Sequence, residues 1–334
     1  MTIAATAPTR IDLAGGTIDI WPLYALHPGC TINLAIDLMA LVQLHMTRGR
    51  TAHIVSRDQS TELRLDVSEL EQMQSLPLIR ELALHFSRGR RCGFRLETSC
   101  ESPAGAGLGG SSALAVALCG AFSAGSTGSR LRADRLITIA KNAEARVIGI
   151  PTGIQDYHAA VRGGLNVILL SADGERAMRL PTDPAAIAER LVLIYGGKSR
   201  SSGINNWKVM RDRIDGDATV TRALAAIAAA SHAMAEALLC TSWDGFVRAM
   251  RSDWDARMAL SDGILTPELE SAIEVARPAA AAWKVCGAGG GGCMVFACTP
   301  GRRERLRRGL AEAGFRLLDF SPSRMGLRIA RNKP

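Results

Sequence analysis

Alternating apolar and polar residues predict several β-strands in the first third of the chain. The clearest segment is 30–48, where Ile32, Leu34, Ile36 and Leu38 occupy every second position, as in a strand with one buried face. We also expect a strand over 3–13, joined to it by a glycine corner, and a hairpin over 51–66. Further strands are predicted over 93–98, 163–170, 190–195, 293–298, 315–320 and 325–330.

Helices are predicted where apolar residues recur at helical spacing or where alanine dominates. Segment 132–147 is amphipathic and is followed by Gly149 and Pro151, which are typical helix terminators. Other helices are predicted over 69–88 with a break near Pro77, over 111–123, over about 204 to 282 as several alanine-rich helices, and over 301–313. Antiparallel-looking strands with helices in separate blocks favour an α+β fold over a strictly alternating parallel sheet.

The length of the chain is consistent with two domains. It has 334 residues, and domains average roughly 150 residues. Two prolines within 181–184 mark the predicted boundary between a domain of residues 1–180 and a domain of residues 181–334. Hydrophobic residues make up 47% of the chain, which is too many for a disordered protein.

The formal net charge of +8 favours anionic partners. The densest basic run, 302–308, contains Glu304 and carries Leu306 and Leu310 four residues apart, which is typical of the outer face of a helix. No basic stretch interleaves with aromatic residues as a nucleic-acid stacking surface requires. The charge therefore reflects either an anionic partner or surplus arginine on solvated faces, and a nucleic acid partner is not expected.

Cysteine usage and hydropathy predict a cytoplasmic protein. The eight cysteines include no Cys-x-x-Cys pair, so a structural metal site is not expected. Cys119 lies inside an apolar run, where a free thiol behaves as a small hydrophobe, and such usage suits a reducing compartment. We find neither a signal-peptide pattern nor 18 uninterrupted apolar residues, so no membrane span is predicted.

A glycine-rich loop over 103–113 is the most informative stretch of the sequence. Glycines let the backbone approach a ligand closely, and the helix that follows offers free N–H groups to phosphate oxygens. Ser111 and Ser112 fall in its first turn, where a hydroxyl can cap the helix, contact phosphate or bind Mg²⁺. The spacing also fits a dinucleotide fingerprint, but no strand ending in an acidic residue follows about 20 residues later. A tight turn with a serine cap remains a further alternative.

With three other segments in the same order, this loop resembles the GHMP kinases, the family of galactokinase, homoserine kinase, mevalonate kinase and phosphomevalonate kinase. The resemblance covers nearly the whole chain. It implies an N-terminal ribosomal-protein-S5-domain-2-like domain and a C-terminal ferredoxin-like α+β domain. It also implies that the loop binds the phosphates of ATP through Pro103, Gly105, Gly107, Leu108, Gly109, Gly110, Ser111 and Ser112.

The second matching segment, 7–19, is similar to the N-terminal motif of the sugar kinases in this family. The resemblance implies that Arg10 lies near the transferred phosphoryl group and that Asp19 binds acceptor hydroxyls, with Gly16 beside it. Arginine suits the first role because it stays charged and can fork onto phosphate oxygens. An ionised carboxylate suits the second because it accepts two hydroxyl hydrogens.

The third matching segment comprises Glu144 and the stretch 153–164. The resemblance implies that Glu144 binds Mg²⁺ together with Ser111, and that Asp156 acts on the acceptor hydroxyl, with Gly164 near the substrate. A carboxylate near the end of helix 132–147 is disfavoured by the helix dipole unless a cation offsets it, which agrees with a metal ligand. Asp156 could also cap a helix over 156–162.

The fourth matching segment, 284–293, contains a second glycine turn. The resemblance implies that this turn supports the nucleotide phosphates and the acceptor pocket through Gly287, Gly289 and Gly290. Segment 196–202 looks similar to the corresponding loop of heptose-phosphate and fucose kinases, and its Lys198 and Arg200 could hold a phosphorylated acceptor. A solvated connector is an equally good interpretation of this loop.

The sequence thus predicts an ATP- and Mg²⁺-dependent kinase that phosphorylates a sugar or sugar-phosphate hydroxyl, with the anomeric hydroxyl of a heptose phosphate among the candidates. We expect it to act as a monomer or homodimer. Two alternatives stay open at this point. One is a dinucleotide-dependent oxidoreductase that uses the 105–110 loop. The other is a non-catalytic nucleotide-binding regulator.

Overall fold

The computed structural model describes residues 2–87, 92–126, 131–197 and 202–332, without the side chains of 126, 202–205 and 332. The strands are β1 (Thr2–Ala14), β2 (Gly29–Met46), β3 (Thr51–Ser56), β4 (Thr61–Asp66), β5 (Phe94–Cys100), β6 (Leu165–Ser171), β7 (Gly174–Arg179), β8 (Leu191–Tyr195), β9 (Ala280–Val285), β10 (Cys293–Cys298), β11 (Arg316–Leu317) and β12 (Arg328–Asn332). The helices are α1 (Leu23–Leu26), α2 (Pro77–Ser87), α3 (Gly110–Ser126), α4 (Ala133–Ile148), α5 (Gln155–Arg162), α6 (Pro184–Ala188), α7 (Ser202–Ile214), α8 (Ala218–Leu239), α9 (Trp243–Met258), α10 (Pro267–Ala276) and α11 (Arg303–Glu312).

The larger of two sheets is organised around the long strand β2. Its order is β12-β1-β2-β5-β3-β4, with β6 paired to β2 off this path and β7 paired to β6. The first half of β2 pairs with β6 and the second half pairs with β5, so one strand joins the two parts of the sheet. Helices α2, α3 and α4 pack together beside this sheet, and α3 lies against β1 and β2. Helix α3 is buried on all sides over residues 112–124, and it belongs to one hydrophobic cluster with residues of the sheet.

The smaller sheet has the order β11-β8-β10-β9 and is antiparallel throughout. Helix α9 packs on β9 and on α8, and α8 in turn packs on β2 of the larger sheet. By length and composition, α8 is also apolar enough to cross a membrane, but half of its apolar window is buried in the protein. A core helix passes the same test, and the contacts of α8 are those of a core helix.

The predicted α+β class is confirmed, and most predicted elements lie within a few residues of the observed ones. The predicted helical block up to 282 is wrong at its end, because Ala280–Val285 forms β9. Alanine favours helices, but Ala280, Ala282 and Lys284 alternate inward, and pairing with β10 overrides this propensity. The predicted boundary at 181–184 runs from the connection after β7 to the first residue of α6. Strand β12 returns to pair with β1, and the division into two domains stays a prediction.

Candidate active site between two glycine turns

A cavity of about 740 Å³ lies where the two glycine-rich segments meet. One wall is the loop from Pro103 to Gly110 and the first turn of α3. The rest of the lining includes the end of β1, the turn that follows it, and the turn at 287–291. The volume is within the range of sites that bind small molecules. These segments are far apart in the sequence, so the cavity forms only when folding brings them together.

The two glycine turns touch through their backbones. Gly107 has a φ of +72°, and a Cβ at this residue would lie 2.1 Å from the carbonyl oxygen of Cys286. The Cys293 amide donates a hydrogen bond of 2.8 Å to the Ala106 carbonyl. Only glycine allows both the left-handed conformation and this approach. Helix α3 begins at Gly110 and its first turn lines the cavity, so its N-terminal N–H groups and positive dipole end are suited to bind an anion there.

Glu144 is held at the start of α3 by three hydroxyl groups. Its Oε1 accepts a short hydrogen bond from Ser111, and its Oε2 accepts bonds from Ser112 at 2.7 Å and Tyr157 at 2.6 Å. Burial raises the pKa of Glu144, although the three donors favour the ionised form. Ser111 is exposed to the cavity whereas Ser112 is buried. Ser111 is therefore the more accessible hydroxyl for a ligand.

Arg10 and Asp156 form a close ion pair in the same cavity. Both Nε and Nη2 of Arg10 contact Asp156 Oδ1, at 2.7 and 2.6 Å, while Nη1 donates to the Gly107 carbonyl. Burial raises the pKa of Asp156, and Arg10 opposes this by favouring its ionised form. Because Arg10 occupies Oδ1, the other oxygen is left beside Gly109, where a Cβ would lie 2.9 Å from Oδ2. The Asp156 side chain stays 20% exposed, so a ligand in the cavity can reach it.

Asp19 lies deeper in the cavity and caps the start of α5. Its Oδ2 accepts hydrogen bonds from the amides of Ile154 at 2.8 Å and Gln155 at 3.0 Å. Burial is the main reason why the pKa of Asp19 is raised to about 6, and the neighbouring carboxylates Asp156 and Asp12 add to the increase. The residue is therefore both a structural cap and an acidic group facing the ligand cavity.

Two family models match the chain on both sides of this cavity. The model described as the GHMP kinases N terminal domain matches residues 77–164, and the model described as GHMP kinases C terminal matches residues 234–316. Together they cover about half of the chain. The chain belongs to the GHMP kinase family. The GHMP kinases are phosphotransferases that use ATP and an alcohol acceptor, and this chain is an enzyme of that class.

Individual relatives of this GHMP kinase include enzymes that act on sugars and on mevalonate. It is 26% identical to a D-glycero-alpha-D-manno-heptose 7-phosphate kinase of Campylobacter jejuni, with 99% of each chain covered. It is 25% identical to a mevalonate kinase of Pyrococcus furiosus, over 98% of each chain. The structure of a D-glycero-D-manno-heptose 1-phosphate kinase from Bacteroides thetaiotaomicron matches with a TM-score of 0.81 and 23% identity, covering 99% of this chain and all of that one. The fold is therefore that of the GHMP kinases.

The cavity brings together most of the residues that the sequence singles out. Those that line it are Arg10, Gly16, Asp19, Pro103, Gly105, Gly107, Leu108, Gly109, Gly110, Ser111, Ser112, Glu144, Asp156, Gly287 and Gly289. Gly290 lies next to this lining, and its amide donates to the Ile264 carbonyl. The roles assigned to these residues stay predictions.

Of the predicted substrate residues that the structure describes, Gly164 is the one that does not lie at the cavity. Gly164 lies away from the cavity lining, where its amide donates to the Ser323 carbonyl at 2.7 Å and its own carbonyl accepts from Ala35. Gly164 has a left-handed φ of +77° in the turn between α5 and β6. Glycine is favoured at this position because of the backbone conformation and not because of a contact with the substrate. Lys198 and Arg200 lie outside the described residues.

Sequence reasoning missed a buried network of charges at the wall of the cavity, which Asp12 lines. Lys284 contacts Asp253 at 2.6 Å and Asp12 at 3.2 Å, and all three side chains are fully buried. Arg257, one helical turn after Asp253, lies beside them and is also buried. The only sequence signal is that Asp12 lies inside the apolar β1 and Lys284 lies inside the alanine-rich β9. That signal does not show which charges pair, because the partners lie some 30 to 270 residues apart.

Proposed function

We propose that this GHMP kinase transfers the γ-phosphoryl group of ATP to a hydroxyl group of a sugar or sugar phosphate. The observation that carries the proposal is the single cavity that contains the 103–112 loop, the Arg10–Asp156 pair and Asp19. It provides an anion-binding helix N-terminus, a cation beside it and two carboxylates that can accept hydrogen bonds from hydroxyl groups. Similarity to a heptose 7-phosphate kinase over 99% of both chains supports a sugar acceptor.

The β- and γ-phosphates of ATP fit the loop and the first turn of α3, where amide N–H groups are available. Among the described residues, no group of three or more His, Cys, Asp or Glu side chains could hold a metal. Mg²⁺ fits nevertheless, because it keeps several waters and needs only one or two protein oxygens besides phosphate. Ser111 Oγ and Glu144 Oε1 lie side by side and would hold it. The ion would neutralise phosphate charge.

Asp156 orients the acceptor hydroxyl and takes its proton. Arg10 favours the ionised form of Asp156 and leaves its Oδ2 as the available acceptor, next to Gly109 of the phosphate loop. In phosphoryl transfer the proton can leave late, so positioning supplies much of the rate. Arg10 also lies where it can offset negative charge on the transferring group, since its guanidinium contacts the Gly107 carbonyl.

Asp19 and the backbone around Gly16 bind other hydroxyl groups of the acceptor. One oxygen of Asp19 is used by the α5 amides, and its second oxygen carries neither of these bonds. A polyol offers several hydroxyl donors to these carboxylates, which favours a sugar over mevalonate. A heptose phosphate, phosphorylated at its anomeric hydroxyl, is our first candidate. We place the reaction in the cytoplasm, where the buried thiols stay reduced.

The dinucleotide alternative has no support in the fold. A dinucleotide fingerprint follows a strand of a doubly wound parallel sheet. Strand β5, which precedes the glycine loop, pairs antiparallel with β2 and parallel only with β3. Membership of the GHMP kinase family also contradicts an oxidoreductase.

An acceptor screen tests the proposal. Purified enzyme with ATP and Mg²⁺ is offered free and phosphorylated heptoses, hexoses and pentoses and also mevalonate, and ADP release is followed. We expect ADP release to depend on a sugar or sugar phosphate, with D-glycero-D-manno-heptose 7-phosphate as the first candidate. By mass, the product should carry one more phosphate than the acceptor. A response to mevalonate alone, or tight ATP binding with no response to any acceptor, would contradict the sugar kinase and favour another kinase or a regulator.

A further inference from the structure

Arg257 joins two distant parts of the cavity wall without lining the cavity itself. It lies on α9, is 2% exposed, and donates from Nη1 to Thr17 Oγ1 at 3.2 Å and from Nη2 to the Gly287 carbonyl at 2.5 Å. Thr17 belongs to the turn after β1, and Gly287 begins the second glycine turn. One guanidinium group therefore sets the distance between two walls that are separated by 270 residues in sequence.

The turn that Arg257 holds has an unfavourable backbone conformation. Thr17 has a φ of +81°, which is rare for a β-branched residue. Such conformations are strained and persist only where surrounding contacts impose them. The Arg257 hydrogen bond to the Thr17 hydroxyl is a contact of this kind. The conformation also directs the chain toward Asp19, two residues later, which lies in the same cavity.

A second residue of α9 holds the same turn one helical turn earlier. Asp253 accepts a hydrogen bond from the Gly15 amide at 2.8 Å, and Lys284 neutralises Asp253. No side chain fits between these groups, since a Cβ on Gly16 would lie 2.3 Å from Asp12 Oδ2 and 3.0 Å from Arg257 Nη1. The backbone of residues 15–17 is therefore held firmly between α9 and the cavity.

We propose that Arg257 is a positioning residue for the acceptor site. It fixes the turn that leads to Asp19 against the Gly287 turn, so that the acceptor is held at the correct distance from Asp156. This inference rests on the proposed function, because it concerns the side of the cavity assigned to the sugar. Arg257 donates its hydrogen bonds to Thr17 and Gly287 and not to the phosphate loop at 103–112, so we expect its loss to affect the acceptor more than ATP.

The first test is the Arg257→Met enzyme, assayed with D-glycero-D-manno-heptose 7-phosphate or whichever sugar the screen identifies. Misplacing a bound substrate by about 1 Å can cost on the order of 100-fold in rate. We expect acceptor kcat/KM to fall on the order of 10- to 100-fold, with the KM for ATP changed less than about twofold. Arg257→Lys should recover part of the loss, since lysine is charged but reaches only one of the two oxygens.

Arg251→Met is the matched control. Arg251 lies on the same helix, is exposed, and donates to the Ala281 carbonyl at 2.6 Å. Its loss should leave both KM values unchanged. An equal rise in the KM for ATP and for the acceptor in the Arg257→Met enzyme would show a general structural role and overturn the proposal.

A second variant keeps the test valid if Arg257→Met does not fold. Thr17→Val preserves shape and β-branching but removes the hydroxyl that Arg257 binds, whereas Thr17→Ser keeps it. We expect Thr17→Val to raise the acceptor KM and Thr17→Ser to restore it toward wild type. Where the double variant folds, its effect should be less than the product of the two single effects. A double variant whose effect equals the product of the two single effects would mean that Thr17 acts without Arg257.

Hydrogen exchange separates this proposal from the proposed function, because it needs no acceptor. In the Thr17→Val protein, and in Arg257→Met if it folds, amides of 15–19 and 287–290 should exchange faster while those of 105–112 do not change. Unchanged exchange in the first two segments overturns the positioning role even if the enzyme is a sugar kinase. Faster exchange together with a failed acceptor screen overturns the sugar assignment and not the role of Arg257 in holding the turns.

Discussion

Single residues of the site combine structural and chemical roles that oppose each other. Asp19 caps α5 with one carboxylate oxygen, yet its burial next to two other acidic groups raises its pKa to about 6. An acid with a raised pKa keeps its proton in the folded state after the unfolded chain has lost it. At neutral pH Asp19 is ionised, and this buried negative charge lowers the stability of the folded protein. The same charge is needed for the proposed contact with the acceptor.

The Asp19→Asn protein tests this cost. The amide oxygen can still cap α5 but carries no charge. Between pH 4 and 6 the folded wild type binds more protons at residue 19 than the unfolded chain, so its free energy of unfolding should fall as pH rises, relative to the variant. At pH 7 to 8 the variant should be more stable by up to about 3 kcal/mol, while its acceptor KM rises. Urea unfolding of both proteins at several pH values measures this, and a pH-independent difference would contradict the account.

Residues in local sequence motifs could be predicted from the sequence, whereas charges that pair across the fold could not. Arg10, Glu144 and Asp156 each lie in a motif, and all three line one cavity. Asp12, Asp253 and Lys284 lie in separate elements that meet only after β1, α9 and β9 pack together. No spacing rule connects such residues, because the network depends on tertiary contacts alone.

At the scale of elements, the site depends on the junction of α3, α4 and α5. Glu144 on α4 accepts hydrogen bonds from two serines on α3 and from Tyr157 on α5. Tyr157 also contacts Thr152 at 3.1 Å, which fixes its hydroxyl. The three helices thereby orient a carboxylate whose proposed role is to hold Mg²⁺ with Ser111.

Tyr157→Phe removes one of these donors without changing the packing of the ring. Loss of a partner that orients a metal ligand typically lowers metal affinity at least on the order of 10-fold. We expect the Mg²⁺ concentration for half-maximal activity to rise on that scale, with little change in acceptor KM. Tyr24→Phe, in α1 and away from the cavity lining, is the control. An unchanged Mg²⁺ titration for Tyr157→Phe would show that its hydroxyl does not orient a metal ligand.

Element types were predictable where one signal dominates, as in the amphipathic α4 and the alternating β2. Strand β9 was not, because it begins within a run of four alanines, which favours a helix, and only pairing with β10 makes the segment extended. The short strand β7 was also missed, since its polar residues give no alternating signal.

For the whole molecule, the buried network of Asp12, Asp253 and Lys284 joins elements from both halves of the chain. β1 belongs to the larger sheet, β9 belongs to the smaller sheet, and α9 packs on both. Replacing one member of such a network leaves an uncompensated charge in the interior. The resulting loss of stability is larger than the net stability that the intact network contributes. The network therefore makes the relative position of the two sheets sensitive to single substitutions.

Lys284→Met is expected to destabilise the protein by about 3–5 kcal/mol, because two buried carboxylates lose their cation. Chemical unfolding provides the measurement. Lys208→Met, which removes an exposed i,i+4 pair with Asp212 on α7, should change stability by less than about 1 kcal/mol. Equal effects of the two substitutions would mean that the network does not hold the halves together.

The central claim, that Asp156 acts on the acceptor beside ATP held by the 103–112 loop, is tested most directly with Asp156→Asn. We predict that this variant binds ATP with Mg²⁺ about as tightly as wild type by calorimetry, while kcat falls on the order of 100- to 10,000-fold. Asn retains an oxygen near Arg10 but cannot take a proton. Turnover close to that of wild type in the folded, ATP-binding variant would contradict the account.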